Sequence, residues 1–203
     1  MVAYVFDTIL QRGVAAGEVP ARTRAARDWF RETAAGYSTT PNDLLRGAGN
    51  AEGGSALTSK TLPGRMYTFF YDPKTKRDLP YYDRFPLIFK ISNFSGGFLG
   101  INMHYLPPVL RARLMDALYP LVTNRKYDET TRLRLTYEIL NGASKYRFFK
   151  PTVKKYLNSH VRSRFILINA NQWDMALFLP TERFVKKNKN FVWRESRQSI
   201  RRR

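Results

Sequence analysis

Three aspartates and one histidine near the middle of the chain are the side chains best suited to metal-dependent hydrolysis. Asp72, Asp78 and Asp83 fall in DPKTKRDLPYYD, and His104 follows in GGFLGINMHYLPP. Carboxylates can hold a divalent cation that activates water for phosphodiester cleavage. However, the aspartates lie in or beside turn-rich sequence, where aspartate is expected for backbone reasons alone. Catalysis is therefore a minor alternative, and no residue is assigned a catalytic role.

Asn102 and His104 stand two residues apart in an otherwise apolar stretch. Side chains of a strand alternate between its two faces, so this pair would share one face while apolar neighbours occupy the other. These neighbours are Leu99, Ile101, Met103 and Tyr105. One interpretation of the polar face is a contact with phosphate or with a partner subunit. We favour a histidine hydrogen-bonded at a sheet edge, since a lone imidazole has many structural uses.

Other signatures of enzymes and metal proteins are absent from the sequence. The chain has no cysteine, which excludes disulfides, thiolate nucleophiles and cysteine-based zinc or iron–sulfur sites. It contains no phosphate-binding glycine loop, no nucleophile elbow and no HExxH motif. We therefore expect neither a cofactor nor a metal site.

The chain carries a large excess of positive charge. Its 35 lysines and arginines oppose 16 carboxylates, a formal net charge of +19. Residues 1–60 have a net charge of +1, whereas residues 145–203 hold sixteen cations and three carboxylates, a net charge of +13. Such an excess predicts a polyanion, nucleic acid or an anionic membrane face, that meets the C-terminal third. No apolar run approaches the roughly 20 residues of a membrane span, and the start lacks a leader pattern, so we expect a soluble protein of the cytoplasm or of an assembly.

The first basic element is predicted after Pro151. Proline suits the first turn of a helix, and apolar residues recur every four positions at Val153, Leu157 and Val161. The basic residues on the opposite face and at the ends of this helix are candidates for phosphate contact: Lys150, Lys154, Lys155, Arg162 and Arg164. A solvated helix face is the alternative. It is disfavoured because residues 145–173 contain no carboxylate, and unpaired cations favour nucleic-acid phosphates.

The second basic element is the end of the chain, TERFVKKNKNFVWRESRQSIRRR. Its cations are candidates for DNA binding: Lys186, Lys187, Lys189, Arg194, Arg197, Arg201, Arg202 and Arg203. Phe191 and Trp193 stand between them and are candidates for stacking on the bases of a DNA end. The alternative for these two rings is an anchor on the protein's own core.

The elements that position these residues follow from the hydrophobic periodicity. Apolar alternation predicts strands in MYTFFYD, RFPLIFKIS and GGFLGINMHY. A helix beginning at Pro107 or Pro108 and ended by Pro120 comes next, then one capped by Asp128 and stopped at Gly142. FILINA and MALFLP predict two late strands. The fold class is thus α+β, a small antiparallel sheet or SH3-like barrel followed by helices, with an N-terminal helical arm and a basic C-terminal tail.

Composition divides the chain into four regions. Residues 1–35 predict two short helices and are interpreted as an N-terminal helical arm, and residues 36–64 as a flexible Gly/Ser-rich linker. Residues 65–183 are the compact α+β domain and residues 184–203 the basic aromatic tail. Amphipathicity alone leaves open whether the arm docks on a neighbouring protein or back onto its own domain.

Four blocks of the sequence resemble a known family. They are GRMYTFFYDPKTKRDLPYYDRFPLIFKI, GGFLGINMHYLPPVLRARLMDALY, KYRFFKPTVKKYLNSHVRSRF and LFLPTERFVKK, which cover most of residues 64–187. In these blocks the chain resembles the DNA end protector proteins of contractile-tailed bacteriophages of the myovirus, cyanophage type. The resemblance implies a non-enzymatic minor virion protein that sits on the end of the packaged genome and shields it from host exonuclease after injection. It implies no role for any single residue.

The first hypothesis is therefore a phage virion protein that binds the terminus of double-stranded DNA without sequence specificity, since no base-reading motif is present. Its partners would be DNA ends and, through residues 1–35, other virion proteins, with no membrane; a homo-oligomer is left open. It would reside in the virion, and in host cytoplasm during assembly and after injection. The alternatives are a structural adaptor of the neck or baseplate that docks on acidic neighbours, and a head-completion nuclease that uses Asp72 or Asp83.

Overall fold

A computed structural model describes residues 2–18, 23–122, 124, 126–145 and 149–201. Within these ranges the α-helices are α1 (Val5–Ala15), α2 (Arg24–Ala35), α3 (Pro41–Ala48), α4 (Pro108–Val122), α5 (Glu129–Lys145), α6 (Trp173–Phe178) and α7 (Lys189–Arg201). The strands are β1 (Leu57–Thr58), β2 (Met66–Thr68), β3 (Tyr82–Asp83), β4 (Leu87–Phe94), β5 (Gly97–Asn102), β6 (Val153–Leu157), β7 (Phe165–Ile168) and β8 (Phe184–Val185). In the described part of the chain, no helix has both the length and the apolarity to cross a bilayer.

One antiparallel sheet forms the centre of the molecule, with strands in the order β1-β7-β2-β4-β5-β6, while β3 and β8 pair separately. The register sets Met66 opposite Phe89 and Phe89 opposite Ile101, and so sends these side chains to one face. Tyr67 and Ile88 pair with each other and occupy the other face. Both faces carry apolar side chains, so the central strands β2, β4 and β5 are largely buried on both sides.

Each face of the sheet has its own core. The helices cover the first face, where their apolar side chains pack with those of the central strands. The second face carries a largely aromatic cluster: Tyr67, Phe69, Tyr71, Ile88, Phe98, Tyr156 and Phe165. An isolated antiparallel bridge from Tyr71 to Val161 joins segments beyond the ends of β2 and β6. The fold is thus α+β with an antiparallel sheet, while the SH3-like barrel stays a prediction.

The N-terminal helices pack in the core on the first, helix-covered face of the sheet, called the main core below. Phe6, Ile9 and Phe30 are at most 1% exposed there. α1 and α2 approach so closely that a Cβ at Gly13 would lie 2.3 Å from the ring of Phe30. Helices α1 and α2 therefore bury their apolar faces on their own domain, which is one of the two arrangements left open for the N-terminal helical arm.

A helix, α3, lies inside residues 36–64, and this corrects the flexible linker expected there. Thr40 caps the helix by accepting a hydrogen bond from the backbone N–H of Asp43 at 3.1 Å, and Pro41 occupies its first turn. Leu44 and Ala48 then anchor it in the main core. The glycine and serine content of the region concealed these local helix signals.

Two elements have the opposite type from the one predicted. The basic helix expected after Pro151 is strand β6, paired with β5, and MALF lies in helix α6 instead of a strand. Val153 and Leu157 are four residues apart, a spacing that fits one helical turn and equally two repeats of a strand. MALF is a short, wholly apolar run, and periodicity alone cannot assign such a run to a helix or to a strand.

Pro120 lies inside α4, which continues to Val122 instead of ending at the proline.

The C-terminal segment folds back onto the domain. β8 pairs with β3, and α7 packs on the 3-10 turns at Met103–Tyr105 and Lys150–Thr152. Val192 and Ser196, one helical turn apart, are the buried residues of α7. The region expected as a basic aromatic tail therefore contains a strand and a packed helix, and Arg202 and Arg203 lie outside the described residues.

Candidate nucleic-acid interface

Helix α7 presents a row of cations to solvent. Asn188 caps it by accepting a hydrogen bond from the backbone N–H of Phe191 at 2.9 Å. Because Val192 and Ser196 face inward, residues spaced three and four positions apart on the other side are exposed. A groove of about 520 Å3 runs along that side and is lined by Asn190, Trp193, Arg194, Arg197, Gln198 and Arg201. The helical repeat thus aligns three of the predicted phosphate ligands.

Phe191 and Trp193, the predicted end-stacking rings, are both anchored to the protein. The indole N–H of Trp193 donates a hydrogen bond to the backbone carbonyl of His104 at 2.8 Å. Phe191 meets the ring of Tyr81 edge-on, with 6.3 Å between centroids. Three predicted DNA-binding cations lie within 5.5 Å of the centroid of one of these rings: Lys187, Lys189 and Arg194. The rings therefore position cations, and stacking on bases stays a prediction.

Lys154 and Lys155 lie on strand β6 and therefore point to opposite sides of the sheet, not to one helix face. Lys155 is exposed, as is Lys150 in the turn before the strand. Lys154 is half-buried, with its Nζ 4.1 Å from the centroid of the Tyr105 ring. Burial lowers the pKa of the Lys154 ammonium to about 8, because an apolar environment disfavours the charged form.

Three further predicted cations donate hydrogen bonds to backbone carbonyls. They are Arg162 on Ser159 at 3.3 Å, Arg164 on Leu57 at 2.7 Å and Lys186 on Arg77 at 2.8 Å. A neutral carbonyl orients a cation without cancelling its charge. Arg164 lies at the β1 edge of the sheet, whereas Lys154 and Lys155 lie at the β6 edge, so the predicted site residues do not all share one patch.

Two of the three carboxylates of the C-terminal third pair with arginines that lie outside it. Asp174 binds Arg31 at 2.7 Å and Glu182 binds Arg111 at 2.7 Å. Glu195 accepts a hydrogen bond from the hydroxyl of Tyr81. Among the described residues from 150 to 201, no lysine or arginine forms an ion pair. Only the Glu195 carboxylate is left to offset these cations, so most of the positive charge of this region is not compensated within the described part of the protein.

The candidate catalytic residues Asp83 and His104 belong to a buried network. Asp83 Oδ2 lies 2.7 Å from His104 Nδ1 and 3.3 Å from Asn102 Nδ2. The other Asp83 oxygen accepts hydrogen bonds from the backbone N–H groups of Phe85 and Arg183 at 3.0 and 3.2 Å. His104 is 0% exposed and Asn102 is 1% exposed. The network ties β5 to β3 and β8, and it does not form the mouth of an active site.

The alternation expected through Asn102 and His104 stops at the end of β5. A 3-10 turn begins at Met103, and Asn102 caps it by accepting a hydrogen bond from the backbone N–H of His104 at 3.0 Å. His104 is thus a buried core histidine instead of a residue at the sheet edge. The turn directs its carbonyl outward to Trp193, which connects this core to α7.

Asp72 and Asp78 do not join the buried network. Hydrogen bonds from Lys76, 3.0 Å from both oxygens of Asp72, lower the pKa of that carboxyl. Asp78 is exposed. Within the described ranges, no cluster of three or more histidine and acidic side chains has the arrangement of a metal site. The three aspartates are therefore not brought together.

Arg111 is a structural residue that the sequence-based analysis missed. It is 1% exposed, and its guanidinium donates to the carbonyls of Leu106 and Leu177 at 2.7 and 2.6 Å and to Glu182 at 2.7 Å. Burial opposes ionisation of Glu182, but electrostatic interaction with the nearby His104 and Arg111 and the hydrogen bond from Arg111 lower its pKa to about 2. The pair fixes the segment that leads from α6 through β8 to α7. The signal that the sequence offered was the position of Arg111 among the buried leucines of α4.

Comparison with known proteins gives one result that bears on this surface. A family model described as Phage T4 terminal DNA protecting protein matches residues 11–199. No curated protein and no solved structure matches the chain. The matched range includes most of the core, the buried Arg111–Glu182 pair and nearly all of α7. Because it spans well over half of the sequence, the chain belongs to the Phage T4 terminal DNA protecting protein family.

Proposed function

We propose that this protein binds the terminus of packaged double-stranded phage DNA without sequence specificity and shields it from exonuclease. One observation carries the proposal: the described cations of residues 150–201 lie on α7, β6 and the adjoining turns without a carboxylate to pair with. DNA phosphates would neutralise them and release counterions, which stabilises binding. Membership of the family supports DNA ends as the polyanion.

The geometry of α7 supports binding to the DNA backbone. Arg194, Arg197 and Arg201 recur about once per turn, so their side chains are spread over about 10 Å along the helix. Anchored rings hold Lys187, Lys189 and Arg194 near this row. Contacts with phosphates orient a protein on DNA but carry no sequence information. Binding governed by charge and shape follows from this arrangement.

As proposed, the protein acts without catalysis and without a cofactor. It is located in the virion and, during assembly and after injection, in host cytoplasm. Since the inner faces of α1 and α2 are occupied by the protein's own core, any contact of residues 1–35 with other virion proteins would use their outer faces. A structural adaptor of the neck or baseplate is the alternative outcome of the experiment below.

The experiment compares binding to a linear duplex and to a relaxed closed circle of the same sequence, across a salt series, with exonuclease protection read on the same samples. We expect preference for the linear form, protected ends and a steep salt dependence. Equal, weak binding to both forms without protection would overturn the proposal and leave the basic surface as a protein-docking face.

A matched pair of variants tests the surface itself. The triple variant R194Q/R197Q/R201Q removes three α7 charges and should reduce the salt slope by about 3 and the affinity about a hundredfold at moderate salt. The control R12Q/R24Q/R46Q removes three exposed charges from α1, α2 and α3 and should leave both quantities unchanged. Equal losses in the two variants would show that net charge, not α7, governs binding.

A further inference from the structure

A cleft lined by tyrosines opens beside the buried network and has no role in the function proposed so far. Its volume is about 490 Å3, within the roughly 300–1,000 Å3 of small-molecule sites. The tyrosines that line this tyrosine cleft are Tyr71, Tyr81, Tyr82, Tyr105 and Tyr156. Lys74, Lys154 and Lys155 also line it. The combination of aromatic rings and cations is suited to a ligand with a flat ring and an anionic group.

Lys154 is the most enclosed cation of the tyrosine cleft. Its Nζ lies against the Tyr105 ring, and it forms no ion pair within the described residues. Lys154 also lines a neighbouring cleft of about 380 Å3, together with Tyr81 and Glu195 of α7. Glu195 interacts with the hydroxyl of Tyr81 and forms no ion pair with Lys154. An unpaired, half-buried ammonium gains most from a bound anion.

The polar groups at the floor of the tyrosine cleft already have hydrogen-bond partners. Asp83 and Asn102 line it, and both oxygens of Asp83 are engaged by the buried network. Asn102 also donates a hydrogen bond to the hydroxyl of Tyr156 at 3.1 Å. A phosphate would be repelled by Asp83 at the floor and attracted by the lysines. A ligand is therefore oriented with its ring inward and its anionic group at Lys154.

The row of cations on α7 cannot by itself distinguish a DNA end from the interior of a duplex, because both present the same phosphates. A feature available only at an end is a terminal nucleotide, which unpairs at the lowest cost. Its base has a π-face that stacks on aromatic side chains, and its phosphate seeks a cation. The tyrosine cleft offers both groups next to α7.

We infer that the tyrosine cleft holds the terminal nucleotide of a DNA strand, with its base against the tyrosine rings and its 5′-phosphate on Lys154. This inference rests on the proposed end binding and adds the selectivity for ends that α7 lacks. In this arrangement α7 binds the phosphates of the adjoining duplex, while the cleft withholds the last nucleotide from an exonuclease.

The first test uses linear duplexes that carry either a 5′-phosphate or a 5′-hydroxyl. The wild-type protein should prefer the phosphorylated end about tenfold. K154M should lose this preference and bind the phosphorylated and hydroxyl ends equally. K189M is the matched control: it removes a lysine that also lies over a ring, Trp193, and should weaken binding to all forms without changing the preference for phosphate.

The second test needs no variant. A duplex with 2-aminopurine as its 5′-terminal base should show at least a twofold change of emission on binding, whereas the same base in the interior should show none. Absence of a change at the terminal base would overturn the inference.

The outcomes separate the inference from the proposed function. If wild-type protein binds linear and circular DNA equally, the proposed function fails and the inference with it. If the protein prefers ends but K154M keeps the preference for a 5′-phosphate, the proposed function stands and the terminal-nucleotide cleft is overturned.

Discussion

The cations of this protein divide into two regions with opposite environments. Arg27, Arg31 and Arg111 are buried and bind carboxylates: Arg27 and Arg31 lie 2.8 and 3.2 Å from Asp116. Arg31 and Arg111 also bind the Asp174 and Glu182 carboxylates of the C-terminal third. The described cations of residues 150–201 have no such pairs. One region uses positive charge to hold helices together, and the other exposes it.

The two regions are linked, because the buried arginines of the first pair with carboxylates of the second. Two of the three carboxylates in residues 145–203 neutralise arginines from α2 and α4. The C-terminal surface is thus more positive than its composition indicates. A buried pair contributes to stability when both partners are present, whereas an exposed cation contributes to binding of a polyanion. Each prediction below tests one side of this comparison.

Loss of Arg111 should have the largest effect on stability. Arg111→Met leaves Glu182 buried without a cation and two backbone carbonyls without a donor, so the free energy of unfolding should fall by about 3–5 kcal/mol. Urea denaturation at pH 7 measures this change. Arg113→Met, at an exposed position of the same helix, should change stability by no more than about 0.5 kcal/mol. Similar small losses in both variants would contradict the structural role of Arg111.

Acid should remove the contribution of the same pair. The folded-state pKa of Glu182 is about 2, below its ordinary value of 4.5, so its contribution is complete above about pH 4.5 and is lost as the pH falls toward 2. The contribution is up to about 3 kcal/mol. The pH dependence of unfolding between pH 2 and 5 should be shallower in E182Q. E138Q, at an exposed position of α5, should keep the wild-type slope, and an unchanged slope in E182Q would refute the pairing.

The close contact between Gly13 and Phe30 tests whether α1 and α2 are packed on the domain. Gly13→Ala would place a Cβ 2.3 Å from the Phe30 ring, so α1 must shift and stability should fall by about 2 kcal/mol. Gly142→Ala in α5 has open space and should raise stability by up to about 1 kcal/mol. Thermal unfolding measures both. A stabilising effect at Gly13 would show that residues 1–35 are not docked on the domain.

Removal of an unpaired cation should have the smallest effect and the opposite sign. Lys154→Met removes a charge that burial disfavours, so the free energy of unfolding at pH 7 should rise by about 1 kcal/mol. The wild-type cost is full below about pH 8 and disappears as the pH rises toward 10.5, so wild-type stability should increase across this window and the variant should not. The titratable groups around this ammonium include Tyr81, Tyr105 and Glu195, together with Asp83, Tyr156 and Lys155 of the tyrosine cleft. Lys155→Met, exposed on the same strand, is the control, and destabilisation by Lys154→Met would contradict the assignment.

Local signals in the sequence predicted several elements correctly. Asp128 caps α5 by accepting a hydrogen bond from the backbone N–H of Thr131 at 2.6 Å, and strands β2 and β5 lie within the predicted alternating segments. Strand β4 begins in its predicted segment and continues two residues past it, to Phe94. Helix α5 continues to Lys145, three residues past the predicted stop at Gly142. Caps and alternation act within a few residues, so they can be recognised without knowledge of the fold.

The candidate site was predictable in charge but not in arrangement. Lys154 and Lys155 were expected on one helix face, and strand pairing with β5 instead sends them to opposite sides. The tyrosine cleft combines Tyr81, Tyr105 and Tyr156, which are far apart in sequence, so no local pattern marks it. Asp83 and His104 were members of the weak catalytic set considered in the sequence, and the structure joins the two in one buried network that the sequence did not indicate.

The sequence by itself determined the net charge, its concentration in residues 145–203, the absence of cysteine chemistry and the α+β class, because these depend on composition and short-range periodicity. Tertiary structure alone decided which cations are neutralised. Arg31 and Asp174 are 143 residues apart, and Arg111 and Glu182 are 71 residues apart, so the pairing depends on how α2, α4 and α6 pack. Burial then separates arginines that stabilise the fold from lysines and arginines that stay without an ion pair, since a charge removed from water must be paired while an exposed one need not be.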